Sequence, residues 1–172
     1  MQPRQSEPRS LHLQDDGRIP NSRLPVVIYA DWLAGVRDGD VETVAAGFEK
    51  LFADHGWPPD WRGGIYDFHH YHSTAHEALG VVRGHARLML GGERGAQVEV
   101  NGGDVLVLPA GTGHCALEQS ADFLVVGAYP RGQQWDVMRG DPGERPAALQ
   151  RIAAVPMPSD DPVGGSLLSL WR

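Results

Sequence analysis

The fold of this chain is decided by residues 64–84, GIYDFHHYHSTAHEALGVVRG. Four of its eight histidines, His69, His70, His72 and His76, stand within eight residues here. Crowded imidazoles point to metal binding, the commonest task that needs several of them together. Read as a strand, the stretch sends alternate side chains to opposite faces. His70 and His72 then share a face with Tyr66 and Phe68, which points that face into an apolar interior, while His69 and Tyr71 point away. Glu77 lies just past the turn 73–76 and offers a carboxylate from the next strand.

A second stretch, GDVLVLPAGTGHCALE (residues 103–118), completes the pattern. A strand runs to Pro109, a tight turn follows, and His114 sits on the way back. Three histidines with one glutamate form a mixed nitrogen and oxygen donor set. Such a set suits iron, manganese, nickel, copper, cobalt or zinc far better than magnesium or calcium. Four protein donors on a six-coordinate ion leave about two positions for water or substrate. His76 is the rival of Glu77 for the fourth donor, and with it the site would be all-histidine.

Around these stretches, short alternating segments dominate: 65–72, 77–83, 85–90, 96–100, 104–108 and 123–129. Glycine-containing breaks separate most of them, the spacing of a sandwich or barrel. Upstream, Val41, Val44, Ala45, Phe48, Leu51 and Phe52 recur at three- and four-residue intervals, which predicts an amphipathic helix over 40–55 packed on the barrel. Asp38 or Asp40 caps its start and Gly56 follows its end. A strand is expected over 24–30, a turn-rich connector over 57–64, and a last strand in the apolar stretch 167–171. Residues 1–10 read as a flexible arm and 11–172 as a single domain.

Bulk properties set the outer limits. A length of 172 residues suits one domain and one core. A net charge of −7 repels phosphate backbones and anionic lipid, so nucleic acid and membrane surfaces are poor partners. No apolar run approaches the ~18 residues of a membrane span. The single cysteine, Cys115, excludes an intrachain disulfide, and no secretion signal is evident, so the cytoplasm is the expected compartment.

The two stretches resemble the two signature motifs of the cupin superfamily. The first motif is matched by Gly64, His70-Tyr71-His72, Glu77 and Gly84. The second is matched by Gly103, Pro109, Gly111 and His114, with Glu118 where the family has asparagine. This motif core covers 64–118. Further stretches, among them residues 16–21, His55-Gly56-Trp57 and Ala128-Tyr129-Pro130, are similar to the small bacterial cupins of the YjlB type. The resemblance implies an all-β fold, a double-stranded β-helix or jelly-roll barrel. One divalent metal ion would sit at its mouth on His70, His72, Glu77 and His114.

On this reading the protein is a metal-dependent enzyme of dioxygenase, decarboxylase or isomerase type. Glu77 would be ligand or base, and the substrate a small organic molecule. The alternative is a non-catalytic module that binds a small molecule or metal. A homodimer is expected, since many cupins pair to bury strand edges. Tyr66, Phe68, Leu79, Val81 and Tyr129 are candidates for the pocket wall, and Trp135 and Trp171 for packing anchors. His12, His55, His69 and His85 read as surface or structural residues, and Cys115 as a small buried apolar one.

Overall fold

The structure, a computed structural model, describes residues 6–33 and 39–172. Among the described residues, nine strands form two antiparallel sheets. They are β1 (Arg9–Leu11), β2 (Val26–Tyr29), β3 (Pro59–Gly63), β4 (Glu77–Arg83), β5 (His85–Leu90), β6 (Ala96–Asn101), β7 (Val105–Leu108), β8 (His114–Gln119) and β9 (Leu124–Ala128). One sheet has the order β1-β2-β7-β4-β9-β3 and the other β6-β5-β8. This is the expected jelly-roll arrangement. Helix α1 (Val41–Asp54) packs on the larger sheet, and two short helices, α2 (Ala147–Ala154) and α3 (Leu167–Leu170), lie in the tail.

The larger sheet is covered on both faces, which explains why β7 reads Val-Leu-Val-Leu without a polar residue. Leu106 and Leu108 face the interior between the sheets, with Leu79, Leu88, Leu90, Val98 and Val125. Val105 and Val107 face the opposite way, into a second layer with Phe48 and Phe52 of α1, Trp57, Leu167 and Trp171. Asp40 caps α1, its carboxylate accepting from the Thr43 amide at 3.0 Å, and Asp38 lies outside the described residues. Gly80 of β4 leaves room for Phe48: a Cβ there would stand 2.6 Å from the ring.

Four expectations are corrected. Segment 65–72 is not a regular strand; single bridges hold it, His70 to His114 and Tyr71 to Met138. Residues 59–63, expected in a connector, form edge strand β3, paired with β9. Residues 167–170 form a helical turn, where the Leu167 amide donates to the buried Asp161 carboxylate. Arg9 and Ser10, placed in the arm, pair with Ile28 and Val27 in β1. Residues 1–5 lie outside the described residues.

Candidate metal centre

Three segments bring the imidazoles together. His70 and His114 exchange backbone hydrogen bonds (3.2 and 2.9 Å), which sets their rings 4.0 Å apart. The His72 carbonyl accepts from the Gly111 amide at 2.8 Å, tying the His-x-His segment to the turn before His114. Gly111 has φ +95°, and a Cβ there would lie 2.5 Å from the Asn21 carbonyl, so only glycine fits this turn. Among the described residues, His70, His72 and His114 are the group whose ligand atoms converge, all within 4.8 Å of one another and all buried.

The hydrogen bonds of the rings fix which nitrogens are free. His70 Nδ1 faces the Phe68 carbonyl at 3.0 Å, His72 Nδ1 the Asp136 carbonyl at 2.5 Å, and His114 Nδ1 the Thr112 carbonyl at 3.0 Å. A carbonyl oxygen can only accept, so each Nδ1 carries the proton and each neutral ring keeps its Nε2 lone pair. This is the arrangement that ligating histidines adopt, with the second nitrogen oriented by a backbone acceptor.

Glu77 opens β4 and is 2% exposed, a burial that an unpaired carboxylate does not tolerate. Its Oε2 lies 3.3 Å from His72 Nε2 and its Oε1 3.3 Å from His114 Nε2. Burial alone would raise its pKa, but the charge of a protonated His72, with hydrogen bonds from the two imidazoles, outweighs burial and holds it well below the usual carboxylate range when no metal is bound. Two lone pairs facing a carboxylate at this distance repel unless a proton or cation lies between them. Donors about 2.1 Å from one ion and at right angles stand about 3.0 Å apart. The observed spacing and the unpartnered Oε1 atom fit a metal ion. His70 is held neutral down to a pKa of about 3, by burial and then by His114. His72 moves upward: burial opposes its charge, but Glu77 overrides burial.

His76 is absent from this cluster. Its Nδ1 accepts from the Ala110 amide at 2.9 Å and its ring lies 4.9 Å from that of Trp171. His69 is partly buried and outside the cluster, His85 and His12 are exposed, and His55 ends α1 and pairs with Asp160 at 2.7 Å. Cys115 is buried, its thiol pushed up by burial.

The cavity over the cluster measures about 280 Å³. Trp61, Ile65, Tyr66, Leu79, Tyr129 and Trp135 form its walls, with Glu77 and the three histidines at its base. Tyr66 and Trp135 are 49% and 38% exposed, so both stand at the rim. Trp135 is thus a pocket residue and not a packing anchor, whereas Trp171 is fully enclosed. Phe68 and Val81 are not on the wall; Phe68 stacks on Tyr66 and lies beneath the Arg139 guanidinium. Among the described residues Arg62 is the one arginine or lysine on the lining, and it is engaged by Glu42 at 2.8 Å and Glu49 at 2.6 Å.

Three supports could not be seen in the motifs. Asp136, in the tail, gives its carbonyl to His72, and its carboxylate accepts from the Ser73 amide and hydroxyl. Arg151 of α2 donates to the same Ser73 hydroxyl at 2.8 Å. Tyr129 donates to Glu77 Oε2 at 2.5 Å. The acid beside the histidines was a signal that Glu77 needed a second partner, but nothing in the order of residues named it.

Residues 62–133 match the sequence model of a family described as Cupin. Over 169 residues, 96% of this chain and 97% of the relative, the chain is 40% identical to "Uncharacterized protein YjlB" of Bacillus subtilis (strain 168). The chain belongs to the cupins. Among solved structures, this cupin is similar to the acireductone dioxygenase of Bacillus anthracis, determined with a cadmium ion in its active centre. The TM-score is 0.45 at 16% identity, covering 66% of this chain and 82% of that one. It is also similar to a variant oxalate decarboxylase of Bacillus subtilis, with TM-score 0.37 and 17% identity over 74% of this chain and 30% of that one. Both likenesses are distant, and the chemistry of those proteins remains theirs.

Proposed function

We propose that this cupin is a metal-dependent enzyme, held on His70, His72, Glu77 and His114, that acts on a small organic substrate bearing two oxygen donors. The observation that carries this reading is the set of three imidazoles with Nδ1–H tied to carbonyls and Nε2 lone pairs turned toward one another around a buried carboxylate. One divalent transition-metal ion would supply Lewis acidity or a redox centre there. The reaction classes that fit are dioxygenase, decarboxylase and isomerase.

The chain's own residues do the rest. The aromatic and aliphatic walls strip water from the substrate and hold an apolar body. With Arg62 engaged by two glutamates, the lining has no free cation among the described residues for a remote carboxylate, which favours substrates whose charge is confined to the chelating oxygens. Glu77 would be the fourth ligand, and would receive a substrate proton only on releasing the metal. We place the protein in the cytoplasm, as a homodimer.

Metal content decides the reading. Purified untagged protein should carry about one transition-metal ion per chain by plasma mass spectrometry, and the double variant His70→Ala, His72→Ala should carry none. An empty wild type after reloading with iron, manganese, nickel and zinc would overturn it. A loaded protein that binds oxygen chelators without turning any over would be a binding module instead.

A further inference from the structure

Glu77 has two oxygens in unequal circumstances. Oε2 accepts from the Tyr129 hydroxyl at 2.5 Å, whereas Oε1 is buried with no hydrogen-bond partner. The direction of the Tyr129 bond follows from its neighbours. The Trp61 indole Nε1–H donates to the Tyr129 oxygen at 2.8 Å, and an indole cannot accept. The ionised carboxylate cannot donate. The hydroxyl proton therefore lies toward Glu77, and the chain runs Trp61 to Tyr129 to Glu77.

The backbone builds this chain with long-range register. Ala78 of β4 stands opposite Ala128 of β9, so the next pair outward is Glu77 and position 129, on the inner face. Trp61 of β3 lies opposite Gly127, and a Cβ at 127 would stand 2.1 Å from the indole, so the glycine makes the space in which Trp61 reaches Tyr129. Strands β4 and β3 thus each give one member, and Tyr129 follows directly on β9 between them.

We infer that Tyr129 is a positioning residue for Glu77: its hydroxyl occupies Oε2 and leaves Oε1 as the one oxygen presented to the metal. The inference rests on the metal-dependent reading above. A carboxylate bound through one oxygen takes up one coordination position, and one bound through both takes up two. Tyr129 would thereby keep a position open for substrate, while Trp61 holds the hydroxyl in line. Outer partners of this kind are worth about 10–100-fold in metal affinity.

The test uses Co²⁺ alone as probe on the full-length protein, comparing wild type, Tyr129→Phe, and protein carrying 3-fluorotyrosine at position 129. Affinity is read by competition with a chromophoric chelator, and coordination by the visible absorption of the bound Co²⁺. The expected result for Tyr129→Phe is roughly 10–100-fold weaker binding with an altered visible spectrum, and wild-type behaviour for the fluorinated residue, which keeps the donor. Unchanged affinity and spectrum in Tyr129→Phe would overturn the inference, even if that variant melts earlier without metal. Should Tyr129→Phe fail to fold, Trp61→Phe serves in its place: a smaller loss with the same spectral change supports the chain, and an unaltered spectrum overturns it. A wild type that takes up no Co²⁺ overturns the metal-dependent reading itself, an outcome distinct from loss in the variant.

Discussion

His70 and His76 enter the fold as neutral imidazoles, held by burial at pKa values of about 3 and about 4. An imidazole whose folded pKa lies below its unfolded value of about 6.5 binds fewer protons folded than unfolded, so stability rises with pH across that window. Metal-free protein should therefore lose stability as the pH falls from about 6.5 toward 4, by up to about 1.4 kcal/mol per pH unit for each group. His72 is shifted the other way, is protonated in both states below about 6.5, and adds no slope there. Urea midpoints at about pH 7 and about pH 5 check the sign, and an unchanged midpoint would contradict it. His70, His72, Glu77 and His114 could each be named as candidates from their spacing in the two motifs, although the stretch that carries His70 and His72 is held by single bridges and not by a regular strand. Tyr129 could be placed on the wall but not paired with Glu77, since 52 residues separate them and only sheet register joins them.

Helix α1 separates what burial contributes from what a cap contributes. Phe48 is fully buried against β4, and Phe48→Ala should cost about 3–5 kcal/mol. Asp40 is an exposed cap, and Asp40→Ala should cost about 1 kcal/mol. Chemical denaturation of the two variants should show that ordering, and equal losses would mean that α1 does not pack as described. The helix was legible because fourteen residues repeat one apolar stripe. The stretch 59–63 was not: Pro59 and Gly63 are turn formers in isolation, yet an edge strand accepts a proline at its first position. Four residues, as in α3, are too few for periodicity to distinguish a helical turn from a strand.

In the whole molecule, the tail wraps back over the barrel and reaches the candidate site. Trp171 donates to the Pro25 carbonyl at 2.9 Å, Met138 pairs with Tyr71, and Asp136 holds His72. No helix among the described residues is long and apolar enough to cross a membrane. Strands β1 and β3 end the larger sheet and β6 ends the smaller, where β8 is met instead by residues 66–70, and a second copy would pair at such strand ends. Light scattering at micromolar concentration should give twice the 18.7 kDa chain mass, and a sharp monomer mass would refute the dimer.

The order of residues was enough to specify the barrel class and helix α1 and to single out 70, 72, 77 and 114 as candidate donors, because apolar period, turn glycines and ligand spacing are short-range properties. The folded chain alone settled that His76 turns away to Ala110 and Trp171, that Trp135 lines the cavity, and that Asp136 and Tyr129 hold His72 and Glu77. Those contacts span tens of residues. They arise from which strands become neighbours and how the tail docks, and no local pattern encodes either.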